Sequence, residues 1–196
     1  YNHEDYIVQA VESIMMQKTK YKYKLFIGED CSTDKTREIC IGFKEKYPNK
    51  IELLLQDENT GGFKNAQDLY KLCFESEAKY IALCDGDDYW TDSLKLQKQV
   101  DFLEENSSFS CCAHKSNTKY ETETNSAKEF YNLKSNKKDI LHKKDFMRVN
   151  EFHTSSILLK KQNIKDFING DSSLIRDNPL KINLLQFGPI KILPDV

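Results

Sequence analysis

The sequence predicts an α/β fold in which a mainly parallel sheet is flanked by helices. The first two-thirds of the chain alternates amphipathic helical segments with short apolar strands, the order expected when right-handed crossovers join parallel strands. Composition agrees, because the 196 residues are 39% hydrophobic and 31% charged, with only 7 Gly and 4 Pro. A chain of this length buries roughly 70% of the surface that its unfolded form exposes, so it can form a core without disulfides or metals.

Helices are predicted where apolar residues recur at helical spacing. In the first helix, Ile7, Val11 and Ile14 fall on one face. The second helix begins after Asp34, a residue type that caps helices, and ends near Tyr47. The predicted helices cover residues 5–18, 34–47, 63–76, 92–106 and 178–187.

Strands are predicted where short apolar runs are bounded by turn residues. The first, YKLFIG, ends at Gly28, and the third, YIALC, runs directly into an acidic segment. The predicted strands cover residues 23–28, 51–56, 80–84, 109–114, 155–159 and 190–193. The polar stretch at residues 117–138 shows no periodicity and receives no assignment.

Charge and cysteine content restrict the partners and the compartment. The 29 basic and 31 acidic residues give a net charge of −2, which argues against a nucleic-acid partner. The six cysteines have no metal-ligand spacing, so we expect reduced thiols that pack as small hydrophobes in a reducing cytosol. No apolar run approaches the ~20 residues of a membrane span, and the N-terminus is not a signal peptide. The sequence therefore predicts a cytoplasmic protein.

Carboxylates follow two of the predicted strands, at the point where each strand ends. Glu29 and Asp30 follow the first strand, and Asp85, Asp87 and Asp88 follow the third. Ligands of open α/β sheets bind beyond the carboxyl ends of the strands, so we expect both acidic segments to face one crevice. Such acids repel one another unless a cation lies between them, and oxygen ligands favour Mg²⁺ or Mn²⁺. The alternative is that these residues only cap helices and form turns.

Four segments together resemble glycosyltransferase family 2. Residues 28–36 (GEDCSTDKT) resemble its "DDxSTDxT" element, and residues 59–61 (NTG) resemble its "NxG" turn. Residues 82–90 (ALCDGDDYW) resemble its DxD segment, and residues 1–17 resemble its opening "TYN…ESIxxQ". The order and spacing agree over residues 1–114, and a weaker match continues to the end of the chain.

The resemblance implies a GT-A fold with a Rossmann-like sheet. It also implies transfer of one sugar, usually with inversion, from a nucleoside-diphosphate sugar to the hydroxyl of a saccharide or lipid-linked saccharide, assisted by Mn²⁺ or Mg²⁺. UDP is expected on family grounds. The absence of a "QxxRW" segment favours single-sugar transfer in the synthesis of bacterial cell-surface polysaccharides. Residues 1–114 would form the nucleotide-sugar-binding half of the domain, and residues 115–196 the acceptor-side half.

The resemblance also assigns roles on the donor side. Asp30, with Glu29 beside it, would contact the donor base. Asp85 and Asp87 would form the DxD pair, with Asp87 holding the metal and Asp85 contacting the ribose or the metal. Lys64 would lie near the diphosphate, although a solvated helix surface is the alternative.

On the acceptor side, Asp177 resembles the general base that removes the acceptor proton. Asp171 is its rival, and a helix-capping role for Asp177 is the alternative. His153 and Trp90 would line the acceptor side. The alternatives are a hydrogen-bonded structural histidine and a tryptophan packed under the sheet edge.

Two further expectations concern the ends and surface of the domain. Members of the family begin with a central strand just before the position of Tyr1, so we expect this strand to precede the chain and the piece alone to be unstable. A basic stretch at residues 134–148 suggests peripheral contact with anionic lipid at the inner membrane face, with a solvated surface as the alternative. The rival functions are a non-catalytic domain that binds nucleotide or carbohydrate, and a nucleotidyltransferase.

Overall fold

The computed structural model describes residues 1–119, 130–132, 138–145, 147, 152–165 and 177–194. The helices in this part are α1 (Ile7–Met15), α2 (Thr36–Lys46), α3 (Gly62–Glu75), α4 (Lys95–Glu105) and α5 (Asp177–Leu184). The strands are β1 (Leu25–Glu29), β2 (Ile51–Leu55), β3 (Tyr80–Ala82), β4 (Cys111–His114), β5 (Asn117–Lys119), β6 (Phe130–Asn132), β7 (Ile140–Leu141), β8 (Leu158–Lys160) and β9 (Ile190–Leu193). Two 3₁₀ turns, Thr154–Ser156 and Lys161–Ile164, flank β8.

The strands of the described residues form two sheets and one short separate pair. β1 and β2 are parallel, with Leu25 opposite Ile51 and Glu29 opposite Leu55. The second sheet has the order β3-β8-β4-β9-β7, in which β4 and β9 are parallel and the other neighbours are antiparallel. β5 and β6 form an antiparallel pair. The α/β class is therefore confirmed, but the sheet is mixed.

The sheet is more mixed than the mainly parallel one expected from the sequence, and the reason lies in β8. This late strand inserts between β3 and β4 and runs antiparallel to both. β1 and β2 are not hydrogen-bonded to β3 in the described residues. A cavity of about 540 Å³ lies between the sheets, with Leu25 and Phe26 of β1 and residues 80–82 of β3 in its lining. Whether a further strand precedes residue 1 stays a prediction.

The boundaries differ from the predicted ones mostly by a few residues. β9 begins and ends where the sequence predicts it. β8 begins later than predicted, because Thr154–Ser156 forms a 3₁₀ turn in which the Ser156 N–H donates to the His153 carbonyl. The turn places a histidine and a serine next to the loop that follows β3. None of the described helices is long and apolar enough to cross a bilayer.

The hydrophobic core packs against the loop that follows β3. One buried cluster joins α1, α4, β4 and β8 and contains Ile14, Trp90, Leu96, Val100, Leu103, Cys112 and Leu158. A second lies under β4, β8, β9 and α5, and a third lies between α1, α2 and the β1–β2 pair. The loop after β3 is therefore anchored at Trp90, which is 6% exposed.

Candidate active site

A cavity of about 870 Å³ opens beside the carboxyl end of β3. Four parts of the chain form its walls: the first half of α3, the loop after β3, residues 152–154, and the start of α5. Its polar and titratable lining side chains are Tyr70, Asp85, His153, Thr154, Asp177, Asn178 and Lys181. The cavity therefore joins the acidic segment after β3 to the late helix on which the sequence places a general base.

Three side chains could ligate a metal ion, and two of them, Asp85 and His153, line this cavity. Asp85, Asp88 and His153 each offer one ligand atom, and these atoms lie within 4.8 Å of one another. The His153 Nδ1 is 3.2 Å from the Asp88 Oδ2. Two carboxylates and an imidazole form a donor set that suits a divalent cation. We call Asp85, Asp88 and His153 the acid–histidine cluster.

Ser155 holds the two acids of the cluster in place. Its hydroxyl lies 2.5 Å from the Asp88 Oδ2, to which it donates, and accepts the backbone N–H of Asp85 at 3.0 Å. The Asp88 N–H also donates to the Asp85 carbonyl at 3.1 Å, which closes the turn between them. Sequence reasoning missed Ser155, and the signal that could have found it is the serine pair after His153 in the matched "TSS" element.

The electrostatics of the cluster favour a cation. Burial raises the pKa of Asp85, and the neighbouring carboxylates of Asp88 and Asp177 raise it further. A positive ion at the cluster would offset this repulsion and lower the pKa of Asp85.

Asp87, to which the resemblance assigns the metal, lies outside the acid–histidine cluster. Its side chain is exposed, and its charge acts on His3. The imidazole of His3 packs against Gly86, since a Cβ at position 86 would lie 2.5 Å from the His3 Nδ1. Asp88, noted from the sequence only as an extra acid of the segment, takes the place beside Asp85. The metal role of Asp87 stays a prediction.

The first acidic segment holds loops together. Both oxygens of Asp30 accept hydrogen bonds: Oδ1 from the N–H and hydroxyl of Thr60 at 2.8 Å, and Oδ2 from the Gly61 N–H at 2.9 Å. Asp30 is 2% exposed and lies behind the start of α3, whose first residues line the cavity. This geometry ties the end of β1 to the NxG turn, and donor contact by Asp30 stays a prediction.

Glu29 is a buried carboxylate that forms an ion pair with the partly exposed Arg37. Its carboxylate accepts from the Arg37 guanidinium and from the Ser32 N–H at 2.8 Å. Although burial opposes it, these bonds from Ser32 and Arg37 lower the pKa of Glu29. With 3% of the residue exposed, Glu29 shapes the loop after β1, and its donor-binding role stays a prediction.

The N-terminal segment links the two acidic loops. Asn2 Nδ2 donates to the Thr33 hydroxyl, the His3 N–H donates to the Thr36 hydroxyl at 2.7 Å, and the Glu4 N–H donates to Asp34. Together with the contact between His3 and Gly86, these bonds fix the loop after β1 relative to the loop after β3.

The remaining predicted residues are placed as follows. Asp177, the first residue of α5, lines the cavity together with Asp85. Lys64 pairs with Asp68 one turn along α3, and its diphosphate role stays a prediction. Trp90 is buried, which favours the packing alternative over an acceptor wall. Asp171 lies outside the described residues.

Comparison with known proteins gives the family and the fold. Residues 1–168 match the family model described as glycosyl transferase family 2. The chain is 36% identical over 107 residues to the putative teichuronic acid biosynthesis glycosyltransferase TuaG of Bacillus subtilis, which covers 55% of this chain and 40% of TuaG. It is also 36% identical over 104 residues to the dTDP-rhamnosyl transferase RfbG of Shigella flexneri. That match covers 53% of this chain and 35% of RfbG.

Solved structures agree. Residues 1–349 of Staphylococcus aureus TarS in complex with UDP align with a TM-score of 0.72 and 20% identity, over 100% of this chain and 56% of that one. The mannosyltransferase PcManGT of Pyrobaculum calidifontis, in complex with GDP-Man and Mn²⁺, aligns with a TM-score of 0.69 and 14% identity. This alignment covers 100% of this chain and 53% of the PcManGT chain. The chain thus spans about half the length of these structural neighbours and less of the curated relatives. It has the GT-A fold and belongs to glycosyl transferase family 2.

Proposed function

We propose that this domain transfers a single sugar from a nucleoside-diphosphate sugar, with a UDP-sugar as the first candidate, to an acceptor hydroxyl. One observation carries the proposal: Asp85 and His153 of the acid–histidine cluster line the same cavity as Asp177. A transferase of this class needs a cation site for the diphosphate and a base for the acceptor within reach of one reacting carbon.

The acid–histidine cluster would hold the divalent cation, with Asp87 as a further acid on the same loop. Carboxylates suit Mg²⁺ and Mn²⁺ alike, whereas an imidazole ligand favours the transition metal, so Mn²⁺ is the first choice. When bound, the cation supplies stabilisation of the negative charge that develops on the departing diphosphate. Ser155 keeps Asp85 and Asp88 in the orientation that this site requires.

Asp177 would act as the general base. As the acceptor oxygen forms its bond to the anomeric carbon, the Asp177 carboxylate takes the hydroxyl proton, and the bond from that carbon to the diphosphate breaks. A single displacement of this kind inverts the anomeric centre. Support comes from the position of Asp177 at the exposed first turn of α5, across the cavity from the loop after β3.

Relatives suggest where the reaction belongs. TuaG carries teichuronic acid biosynthesis in its name, and TarS is named a poly(ribitol-phosphate) β-N-acetylglucosaminyltransferase. We infer that the acceptor is a saccharide or lipid-linked saccharide of a bacterial cell-surface polymer, used on the cytoplasmic side of the membrane. Residues 138–145 and 147 of the basic stretch proposed to touch the inner membrane face are described, and lipid contact by this stretch stays a prediction.

A thermal-shift screen tests the proposal. UDP-, GDP- and dTDP-sugars are added to the protein with Mn²⁺, with Mg²⁺ or with EDTA, and the unfolding midpoint is recorded. A true donor raises the midpoint in a dose-dependent manner only when metal is present, because ligands that bind the folded state stabilise it by mass action.

Matched variants localise the effect. Asp85→Asn should remove the metal-dependent shift, whereas Glu12→Gln, on the exposed side of α1, should leave it unchanged. A donor-induced shift of equal size in EDTA would contradict the metal-assisted mechanism.

A further inference from the structure

Lys95 is a fully buried lysine beneath the candidate active site. It is the first residue of α4 and is 1% exposed, and its Nζ lies 3.9 Å from the centre of the Trp90 ring. Among the described residues, no carboxylate forms an ion pair with it. The amino group therefore contacts the indole face, a geometry that is attractive when the group is charged and the site is dry.

From Trp90, contacts continue to the acid–histidine cluster. The indole N–H of Trp90 donates to the Ser155 carbonyl at 2.9 Å. The Ser155 hydroxyl in turn binds the Asp88 carboxylate and the Asp85 N–H. Lys95 is thus two contacts away from the serine that orients both acids.

A second set of contacts reaches the adjacent residue of the same turn. The Lys95 ammonium donates to the Gln99 Oε1 at 2.7 Å, and the Gln99 amide donates to the Ser156 carbonyl at 2.8 Å. Gln99 is 0% exposed. Through Trp90 and Gln99, Lys95 therefore supports two successive carbonyls of the 3₁₀ turn that also carries His153.

Burying a lysine at this position costs free energy that packing alone does not require. Burial lowers the pKa of Lys95 to about 7, although the nearby thiols of Cys112 and Cys84 oppose the shift. An apolar side chain such as methionine fills a similar volume without the loss of hydration. What the lysine adds, compared with an apolar side chain, is a contact with the Trp90 indole and a hydrogen bond to the Gln99 amide.

We propose that Lys95 is a positioning residue that fixes the geometry of the Asp85–Asp88–His153 site through Trp90 and Gln99. The inference rests on the metal-assisted transfer proposed above. It predicts that loss of the ammonium loosens the turn at residues 154–156 and weakens metal binding without unfolding the domain.

The test is equilibrium Mn²⁺ binding by titration calorimetry, together with near-ultraviolet circular dichroism of the metal-free protein. Lys95→Met should weaken Mn²⁺ binding about tenfold. It should also alter the 290–300 nm band, which reports Trp90 because the sequence has a single tryptophan. The domain should remain folded, because removal of the buried amine offsets the donor that the Gln99 Oε1 loses. Lys98→Met, three residues along α4 at a partly exposed side chain paired with Asp92, should bind Mn²⁺ within twofold of wild type.

Lys95→Gln provides a second variant, since an amide can keep the bond to Gln99 while removing the charge. Its Mn²⁺ affinity should lie between those of wild type and Lys95→Met. Wild-type affinity and an unchanged Trp90 band in Lys95→Met would overturn the inference, as would unfolding of both variants, which would make Lys95 a folding residue. Failure of wild type to bind Mn²⁺ would overturn the metal site of the proposed function, a result distinct from equal binding by wild type and variant.

Discussion

The Nδ1 of His153 lies 3.2 Å from the Oδ2 of Asp88, although 65 positions separate the two residues in the sequence. The 3₁₀ turn that begins after His153 and the turn closed between Asp85 and Asp88 bring the two side chains together. The candidate metal ligands therefore come from two segments that are distant in the sequence. Substituting one ligand at a time measures how much each side chain contributes to metal binding.

Replacing His153 by glutamine should weaken Mn²⁺ binding by about tenfold, or ~1.4 kcal/mol. Mg²⁺ binding should change less, because imidazole is the better ligand for a transition metal. Titration calorimetry with both ions measures the difference. His142→Gln, at an exposed histidine, serves as the control. Equal losses for the two ions would argue that His153 acts only by orienting Asp88.

Asp177→Asn should lower turnover by roughly 10²- to 10⁴-fold, since an amide cannot accept the acceptor proton. Donor affinity should change little, because the substitution leaves the acid–histidine cluster intact. Single-turnover kinetics measure the first quantity and donor titration the second. Transfer at the wild-type rate would exclude Asp177 as the base and turn attention to Asp171.

His114 should make the protein less stable in acid. Its Nδ1–H donates to the Lys115 carbonyl, and its buried Nε2 has no partner among the described residues. Burial lowers the pKa of His114 to about 4 from its ordinary 6.5, and the charge of Lys95 contributes. The unfolded chain therefore takes up this proton first as pH falls from 6.5 to 4. Stability present above pH 6.5 is lost across that window, by at most about 3 kcal/mol.

Urea unfolding at several pH values checks this effect. The free energy of unfolding of His114→Gln should fall less steeply between pH 6.5 and 4 than that of wild type. His142→Gln should keep the wild-type slope, because that histidine is exposed. Parallel curves for wild type and His114→Gln would contradict the prediction.

Gly86→Ala should destabilise the loop after β3, because the new Cβ would lie 2.5 Å from the His3 Nδ1. We expect a loss of about 1–3 kcal/mol in the free energy of unfolding, as for other overpacked sites. In a His3→Ala background the loss should shrink by at least ~1 kcal/mol, because the clash is gone. Gly42→Ala, in α2 with open space around it, should instead stabilise by about 0.5–1 kcal/mol. An additive double mutant would place His3 away from Gly86.

Asp30→Ala should reduce stability by about 1–3 kcal/mol, because the N–H groups of Thr60 and Gly61 lose their acceptor. Urea unfolding measures the change, and Asp57→Ala, at an exposed acid, is the control. If stability were unchanged while donor affinity fell, the base-contacting role predicted from the sequence would be favoured over the loop-anchoring role.

The sequence predicts local elements better than their arrangement. The helices follow from apolar periodicity and β9 from a bounded apolar run, because both signals are local. The position of β8 between β3 and β4 depends on pairing between distant segments, and no local pattern carries that information. β2 therefore does not pair with β3, the strand that follows it along the chain, within the described residues.

The same limit applies to the candidate site. The acidic segment after β3 and Asp177 could be found from the sequence, because strand ends and helix starts concentrate functional groups. Which acid of that segment meets His153 could not, because Ser155 and the turn decide it in three dimensions. The burial of Lys95 could not be predicted for a related reason. A lysine at the start of a helix is usually solvated, and only the packed structure places Lys95 against the Trp90 ring.

The cavity between β1 and β3 leaves one edge of each strand without a strand partner in the described residues. In the described residues each of these strands has a strand neighbour on one side only. Open backbone edges of this kind act as templates for strands from other molecules. We therefore expect a strand from another molecule to be able to pair at either edge, and light scattering at several protein concentrations measures whether it does.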